Sequence, residues 1–456
     1  MNYEEFIKSK SQLGTYDGFD ATFIPDYLFD FQKELVTWSL KKGRAAIFAD
    51  CGLGKTPIQL VWAKNILIKE NKNVLIVTPL AVSYQTIREG DKFGIECTRS
   101  IDGITKTGIT VTNYERLHYF NPSDFCGVVC DESSILKNFS GVRRKEITNF
   151  LKKVKYRLLC TATASPNDYV ELGTSSEALG ELGNMDMLSM FFKTSDNAMQ
   201  INQRYGDFWN KNKWRFKAHS EDMFWRWVCS WARALRKPSD MGFNDNGFIL
   251  PPLIIKETIC EHNTPFDGEL FVRIAVTMDE QREERRITLK QRCEMVAEKV
   301  AEHDISLVWC QMNDEGDMLE NIIPDGKQIK GSDSDENKEN TFIEFVNGNL
   351  KTLITKPKIG AFGLNFQHCN HVTFFPSHSF EQYYQGVRRC WRFGQKKPVI
   401  VDIITTSGEI GVLKNLQKKA AAANNMFEKL SKHINAHITI ERKQNKTIEM
   451  EAPEWL

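Results

Sequence analysis

The sequence predicts an α/β protein of two parallel-sheet lobes in tandem, with a mainly helical insertion between them. Three observations carry this. Short β-branched runs alternate with helical patterns over the first third of the chain. The same alternation returns in the last third. The stretch from about Ser175 to Asn246 lacks it and is rich in tryptophan, methionine and basic residues. Alternating strands and helices build a parallel sheet covered on both faces. The 456 residues suffice for two or three domains, each with its own core. The composition divides the chain into a first lobe at 1–175, an insertion and linker at 176–250, a second lobe at 251–415 and a helical tail at 416–456.

In the first lobe, strands are expected at Ala45–Phe48, Val74–Thr78, Ile109–Thr112, Val128–Cys130 and Arg157–Cys160, with helices at Thr56–Lys69, Leu80–Lys92 and Val142–Leu151. In the second, strands are expected at Ile305–Cys310, Thr352–Thr355, Val372–Phe375 and Val399–Thr405, with helices at Leu289–His303, Glu336–Phe345 and Phe380–Arg389. Within the insertion, Phe224, Val228, Trp231 and Leu235 share one face at about 100° per residue. Arg226, Arg233 and Lys237 fall on the other, which reads as a solvated basic face or as a nucleic-acid contact. Phe208-Trp-Asn-Lys-Asn-Lys-Trp-Arg-Phe-Lys217 interleaves cations with aromatics without helical order and is the stronger nucleic-acid candidate. Asp240–Pro252 reads as a linker, Gly331–Asp335 as a polar turn capping a helix, and the segment after Thr406 as one helix to about His433.

The formal net charge is +1, so a polyanion partner would need a local patch rather than a global field. The eleven cysteines lie scattered in apolar runs without metal-type pairs, which points to reduced thiols. Residues 1–10 carry no long apolar stretch and no segment reaches membrane-spanning length, so a soluble, cytoplasmic protein (nuclear in a eukaryote) is expected.

Ala49-Asp-Cys-Gly-Leu-Gly-Lys55-Thr56 follows the first strand and opens a helix. Gly52, Leu53 and Gly54 then offer backbone amides to phosphate oxygens at the helix N-terminus. Lys55 reaches the β- and γ-phosphates, and the Thr56 hydroxyl ligates Mg²⁺. ATP and Mg²⁺ are thus the expected cofactors. Val128-Val-Cys-Asp131-Glu132 ends a strand in two carboxylates: Asp131 to hold Mg²⁺ and Glu132 to orient or deprotonate the attacking water. Gln32 follows Phe31 at the start of an amphipathic helix, either as an adenine contact or as an ordinary helix-face residue. Arg389 and Arg392 lie three apart, so on a helix they project from one side, toward a triphosphate or into surface ion pairs.

In this order, the blocks resemble superfamily-two helicase motors, and the Swi/Snf-type double-stranded DNA translocases in particular. Asp50-Cys-Gly-Leu-Gly-Lys-Thr56 is similar to that family's Asp-Glu-Met-Gly-Leu-Gly-Lys-Thr, and Asp131-Glu-Ser-Ser-Ile-Leu-Lys-Asn138 to its Asp-Glu-Gly-His-Arg-Ile-Lys-Asn. Val77-Thr-Pro-Leu80, Val111-Thr-Asn-Tyr-Glu115, Leu159-Cys-Thr-Ala-Thr-Ala-Ser-Pro-Asn167, Lys330-Gly-Ser-Asp-Ser334 and Gly360-Ala-Phe-Gly363-Leu-Asn365 resemble further blocks. Gln385 to Gln395 and Thr406-Ser-Gly-Glu-Ile410 resemble the last ones. The likeness spans roughly 25–170 and 250–415. Three departures stand out: Ser134 replaces the usual histidine, Thr161-Ala-Thr163 replaces Thr-Gly-Thr, and Arg388 replaces an acid.

The resemblance implies two RecA-like lobes pinching ATP. It implies Gln32 on adenine, Lys55, Thr56 and Asp131 on phosphates and Mg²⁺, and Glu132 on the attacking water. Arg389 and Arg392 act as arginine fingers, and Gly363 and Asn365 line the same nucleotide site. The Ser165 region, Asn113-Tyr114 and Gly360–Asn365 would touch nucleic-acid phosphates. The implied function is ATP-driven translocation along duplex DNA, remodelling or displacing bound proteins. A strand-separating DNA or RNA helicase and an ATP-gated DNA-binding module with weak turnover are the alternatives. The compact form, with little room for chromatin-reading domains, suggests a bacteriophage or mobile-element protein that works with a methyltransferase or nuclease.

Overall fold

The computed structural model describes residues 17–137, 141–165, 169–194, 214–261, 275, 277–360, 365–377 and 379–448. The chain forms two compact units, Met1–Asp245 with Ala423–Leu456, and Asn246–Ala422.

The first unit is built on a parallel sheet. Its strands are β1 (Arg44–Ala49), β2 (Asn73–Thr78), β3 (Cys97–Arg99), β4 (Ile109–Asn113), β5 (Phe125–Asp131) and β6 (Tyr156–Cys160). A hairpin of β7 (Phe192–Thr194) and β8 (Trp214–Phe216) stands apart, and β9 (Ala232–Leu235) returns to the main sheet. The order is β3-β4-β2-β5-β6-β1-β9. Five of these strands, β1, β2, β4, β5 and β6, are the expected ones, and they are buried over nearly their whole length. Burial on both faces is what a β-branched, non-alternating run signals.

The insertion departs from the expected helix at Ala232–Leu235. The helix Ser220–Trp231 ends at Trp231, and the next four residues become β9, paired in parallel with β1 from Ala46↔Ala232 to Ala49↔Leu235. Leu235 therefore belongs to a strand, not to the helix face of Phe224 and Val228. Arg233 is not on a solvated basic face either. It is buried, stacks over Trp38 at 4.2 Å and donates to the Cys229 carbonyl. An open sheet edge beside β1 offered backbone partners that outweighed continuing the helix by one turn. Of the cation–aromatic stretch, residues 208–213 lie outside the described residues. Phe216 packs on Phe192 at 4.5 Å and on Phe224 at 5.3 Å, so its ring belongs to an aromatic cluster.

The second unit carries β10 (Leu253–Cys260), β11 (Ser306–Trp309), β12 (Gly326–Ile329), β13 (Thr352–Thr355), β14 (His371–Phe374) and β15 (Val399–Thr406). They form a parallel sheet in the order β10-β15-β14-β11-β13-β12. One face packs Leu307, Trp309, Phe345, Phe374 and Val401, the other Val296, Val308, Cys310, Leu319 and Ile354. Ser334 caps the helix Asp335–Val346 by accepting from the Asn337 amide, as its turn sequence predicts.

The helix Phe380–Val387 stops short of the two arginines expected on it. The Arg389 carbonyl accepts from the Phe366 amide at 2.9 Å, and the amides of Cys390 and Trp391 both fold back on the Val387 carbonyl. Arg389 and Arg392 thus sit in a turn, where spacing of three does not fix a common face. The tail helix runs from Ile410 to Ile448, and its portion from Ala423 onward belongs to the first unit, where Lys429 pairs with Glu221. All eleven cysteines are reduced thiols, ten of them buried. Among the described residues, no helix is long and apolar enough to cross a membrane.

Candidate functional site

Parallel pairing brings the carboxyl ends of β1, β5 and β6 to one edge of the first sheet. Asp131 is level with Cys160, and Cys160 with Ile47. The loop after β1, the turn after β5 and the turn after β6 therefore open side by side, where open α/β sheets bind ligands.

The loop itself is shaped by its glycines. Gly52 and Gly54 adopt φ of +89° and +75°, a region that a side chain would strain. A Cβ on Gly54 would also lie 2.3 Å from Gln32 Nε2. The loop is pinned at its start by the Asp50 amide, which donates to Leu235 of β9 at 3.0 Å. Gly54 hands directly into the helix Lys55–Glu70, whose first-turn amides lack intrahelical partners. Lys55 Nζ bends back over the loop and donates to the Ala49 carbonyl at 3.0 Å. A phosphate oxygen is a stronger acceptor than that carbonyl, so the ammonium can transfer to it.

The two carboxylates are held by groups the sequence reading passed over or left undecided. Gln59, one turn into the helix and fully buried, donates from Nε2 to Asp131 Oδ1 at 2.7 Å. Glu132 takes φ of +50°, a strained conformation for a side-chain-bearing residue that persists where neighbours impose it. Thr161, on the turn after β6, donates to Glu132 Oε2 at 3.2 Å. The Tyr114 hydroxyl donates to the Asp131 carbonyl at 2.6 Å. Burial, then the nearby Cys130 and carboxylates, push the Tyr114 phenol well above its usual range, so it stays a donor. Tyr114 is therefore buried beneath the carboxylates, not presented to a nucleic-acid backbone. Ser134, which replaces the family's histidine, is buried in the short turn Ser133–Lys137.

Gln32 is buried against the loop. Its Nε2 donates to the Leu53 carbonyl at 2.9 Å and its Oε1 accepts from the Phe29 amide at 3.0 Å. This makes Gln32 a brace for the glycine-rich loop. The first unit thus gathers Gln32, Gly52, Leu53, Gly54, Lys55, Thr56, Asp131 and Glu132 at one sheet edge. In the second unit, Arg389 is buried and donates from Nε to the Gln385 carbonyl, while Arg392 is half-buried. Asn365 is described, with its Oδ1 buried, and Gly363 lies outside the described residues.

Residues 288–394 match the helicase conserved C-terminal domain. Among curated proteins, the chain is 28% identical over 180 residues to the DNA annealing helicase and endonuclease ZRANB3 of Bos taurus. That stretch is 34% of this chain and 17% of the relative. It is also 34% identical over 104 residues to the bifunctional helicase and thymine dioxygenase JBP2 of Leishmania braziliensis, covering 22% of this chain and 10% of that one.

The chain is thus similar to helicase-like proteins, over residues 288–394 and over the stretch shared with ZRANB3. Its two parallel-sheet units have the α/β architecture expected of the tandem lobes of such proteins. A solved Sulfolobus solfataricus SWI2/SNF2 ATPase core in complex with dsDNA aligns over 95% of this chain and 99% of that one, at 17% identity and a TM-score of 0.41. Gln59 left only a faint signal in sequence: a polar residue one turn after Lys55, in a helix otherwise apolar from Ile58 to Ala63.

Proposed function

We propose that this chain is a Swi/Snf-type motor that hydrolyses ATP and uses the cycle to translocate along duplex DNA, remodelling or displacing what is bound there. One observation carries the chemistry: a phosphate loop and a doubly braced carboxylate pair open on the same sheet edge, Gln59 holding Asp131 and Thr161 holding Glu132. In this reading the loop amides and Lys55 hold the triphosphate. Mg²⁺, when bound, screens phosphate charge through Thr56 and Asp131. Glu132 accepts a proton from, or aligns, the attacking water, and Thr161 fixes the carboxylate that does so. Arg389 and Arg392 supply transition-state charge, as the resemblance implies. Contact with DNA would be to its backbone and indifferent to base sequence. The name of the relative ZRANB3, a DNA annealing helicase, supports DNA as the track.

The test compares ATP turnover of the wild type and Lys55→Ala with no nucleic acid, single-stranded DNA, duplex DNA and RNA. Duplex DNA should stimulate the wild type most, and Lys55→Ala should be inactive throughout. Equal rates for the two proteins would end the motor reading. Unwinding of a blunt duplex in a strand-displacement assay would replace translocation by strand separation.

A further inference from the structure

A cluster of ligand-type side chains lies in the second unit, away from every residue assigned above. His371 opens β14, Ser306 opens β11, and Asp402 on β15 is level with Thr373. The cluster therefore lies toward the amino-terminal edge of the sheet, whereas the segments after Thr355 and Phe374 leave by the opposite edge.

His371 is gripped at both nitrogens. Nδ1 lies 2.7 Å from Ser306 Oγ, and Nε2 lies 3.1 Å from Asp402 Oδ2. The His371 and Asp402 side chains are 0% and 1% exposed. His303, half-buried in the turn after the helix Leu289–Ala301, stacks on His371 with ring centroids 3.9 Å apart. One ligand atom from each of His303, His371 and Asp402 lies within 4.8 Å of the others. Asp402 Oδ1 is buried and has no hydrogen-bond partner.

A stitch of Asp402, His371 and Ser306 across three strands would explain Oδ2 and both ring nitrogens. It would not explain a second imidazole laid against the first, or a buried carboxylate oxygen left unpaired, which is a costly state. We propose that His303, His371 and Asp402 form a binding site for a divalent first-row transition ion, Zn²⁺ foremost. Two imidazoles and a carboxylate favour such ions over Mg²⁺ or Ca²⁺. The Nε2–Oδ2 separation of 3.1 Å is near the ~3.3 Å between two ligands about 2.0–2.1 Å from a tetrahedral ion.

On binding, His371 takes the tautomer with its single ring hydrogen on Nδ1 rather than Nε2, which frees the Nε2 lone pair for the ion and lets Nδ1–H donate to Ser306 Oγ. A hydroxyl accepts as readily as it donates, and this is the outer-shell arrangement that fixes a metal-bound imidazole. His303 re-aims its ring from the turn, and a water in the fourth position can donate to Asp402 Oδ1, the oxygen left unpaired without the ion. The ion would tie that turn to β11, β14 and β15.

The experiment uses the full chain, stripped with a chelator, dialysed and kept reduced. Zn²⁺ affinity is read by competition with a chromophoric chelator and Co²⁺ by its ligand-field absorption, with thermal melting alongside. The wild type should take up one ion, with tetrahedral Co²⁺ bands and a raised Tm. Ser306→Ala should weaken binding about 10–100-fold, and His303→Ala by more than that. His303 is only half-buried and lies in a turn, so circular dichroism should find His303→Ala folded. No stoichiometric uptake by the wild type overturns the site. So does an unchanged affinity in His303→Ala, or thiolate charge-transfer bands that assign the ion to cysteines.

Discussion

Replacing Gln59 by leucine separates what holds the carboxylate edge in place from what holds the unit together. Gln59 is fully buried and its Nε2 donates to Asp131 Oδ1 at 2.7 Å, while its own Oε1 is buried with no partner. Leucine deletes a hydrogen bond to a charged group, worth about 1.5–3 kcal/mol. It also removes an orphaned acceptor that costs about 1–3 kcal/mol and fills similar space with carbon. The two effects offset, so global stability should move by only about 1 kcal/mol or less. Asp131, however, loses the donor that aims it. As an outer-shell partner of the proposed Mg²⁺ site, Gln59 should set the metal requirement, and its loss should raise the Mg²⁺ needed for half-maximal ATP turnover about 10–100-fold. The assay is turnover against Mg²⁺ at fixed ATP, with a thermal melt of the same preparation. A Mg²⁺ curve superimposable on the wild type would refute the reasoning. So would a large loss of stability at unchanged Mg²⁺ dependence, because Gln59 would then be a packing residue only.

Arg392→Ala should lower turnover about 10³-fold or more while nucleotide affinity stays near wild type, because an arginine finger acts on the transition state; full turnover would remove Arg392 from the chemistry. Neutralising Lys211, Lys213, Arg215 and Lys217 should weaken DNA binding and reduce its salt slope by ~0.9 for each phosphate that is no longer neutralised. An unchanged slope would assign the stretch to the surface alone. The buried thiols give a pH signature. Burial pushes Cys130 and Cys310 up to about 12, whereas an unfolded thiol titrates near ~8.5. The unfolded chain then binds fewer protons above that pH, so stability is intact below ~8.5 and falls by about 1.4 kcal/mol per thiol for each pH unit above it, until the folded pKa is reached. Melts under reducing conditions should shift down from pH 8 to pH 10, and a flat profile would contradict this.

The glycine-rich turn after β1, the acidic strand end and most core strands were legible in the sequence because their signals are local. A glycine-rich turn between an apolar run and a helix writes its own backbone geometry, and a β-branched run buried on both faces needs no partner to be recognised. What only the tertiary structure decided comes from residues far apart in the chain. Gln59 meets Asp131 across 72 positions and Thr161 meets Glu132 across 29. Ala232–Leu235 had the periodicity of a helix and became a strand because β1 had an open edge. Arg389 and Arg392 had helical spacing and lie in a turn because the Phe366 amide claims the Arg389 carbonyl. Propensity and spacing act over a few residues, while long-range hydrogen bonds between buried groups form only once the chain has folded back, and there they override the local preference.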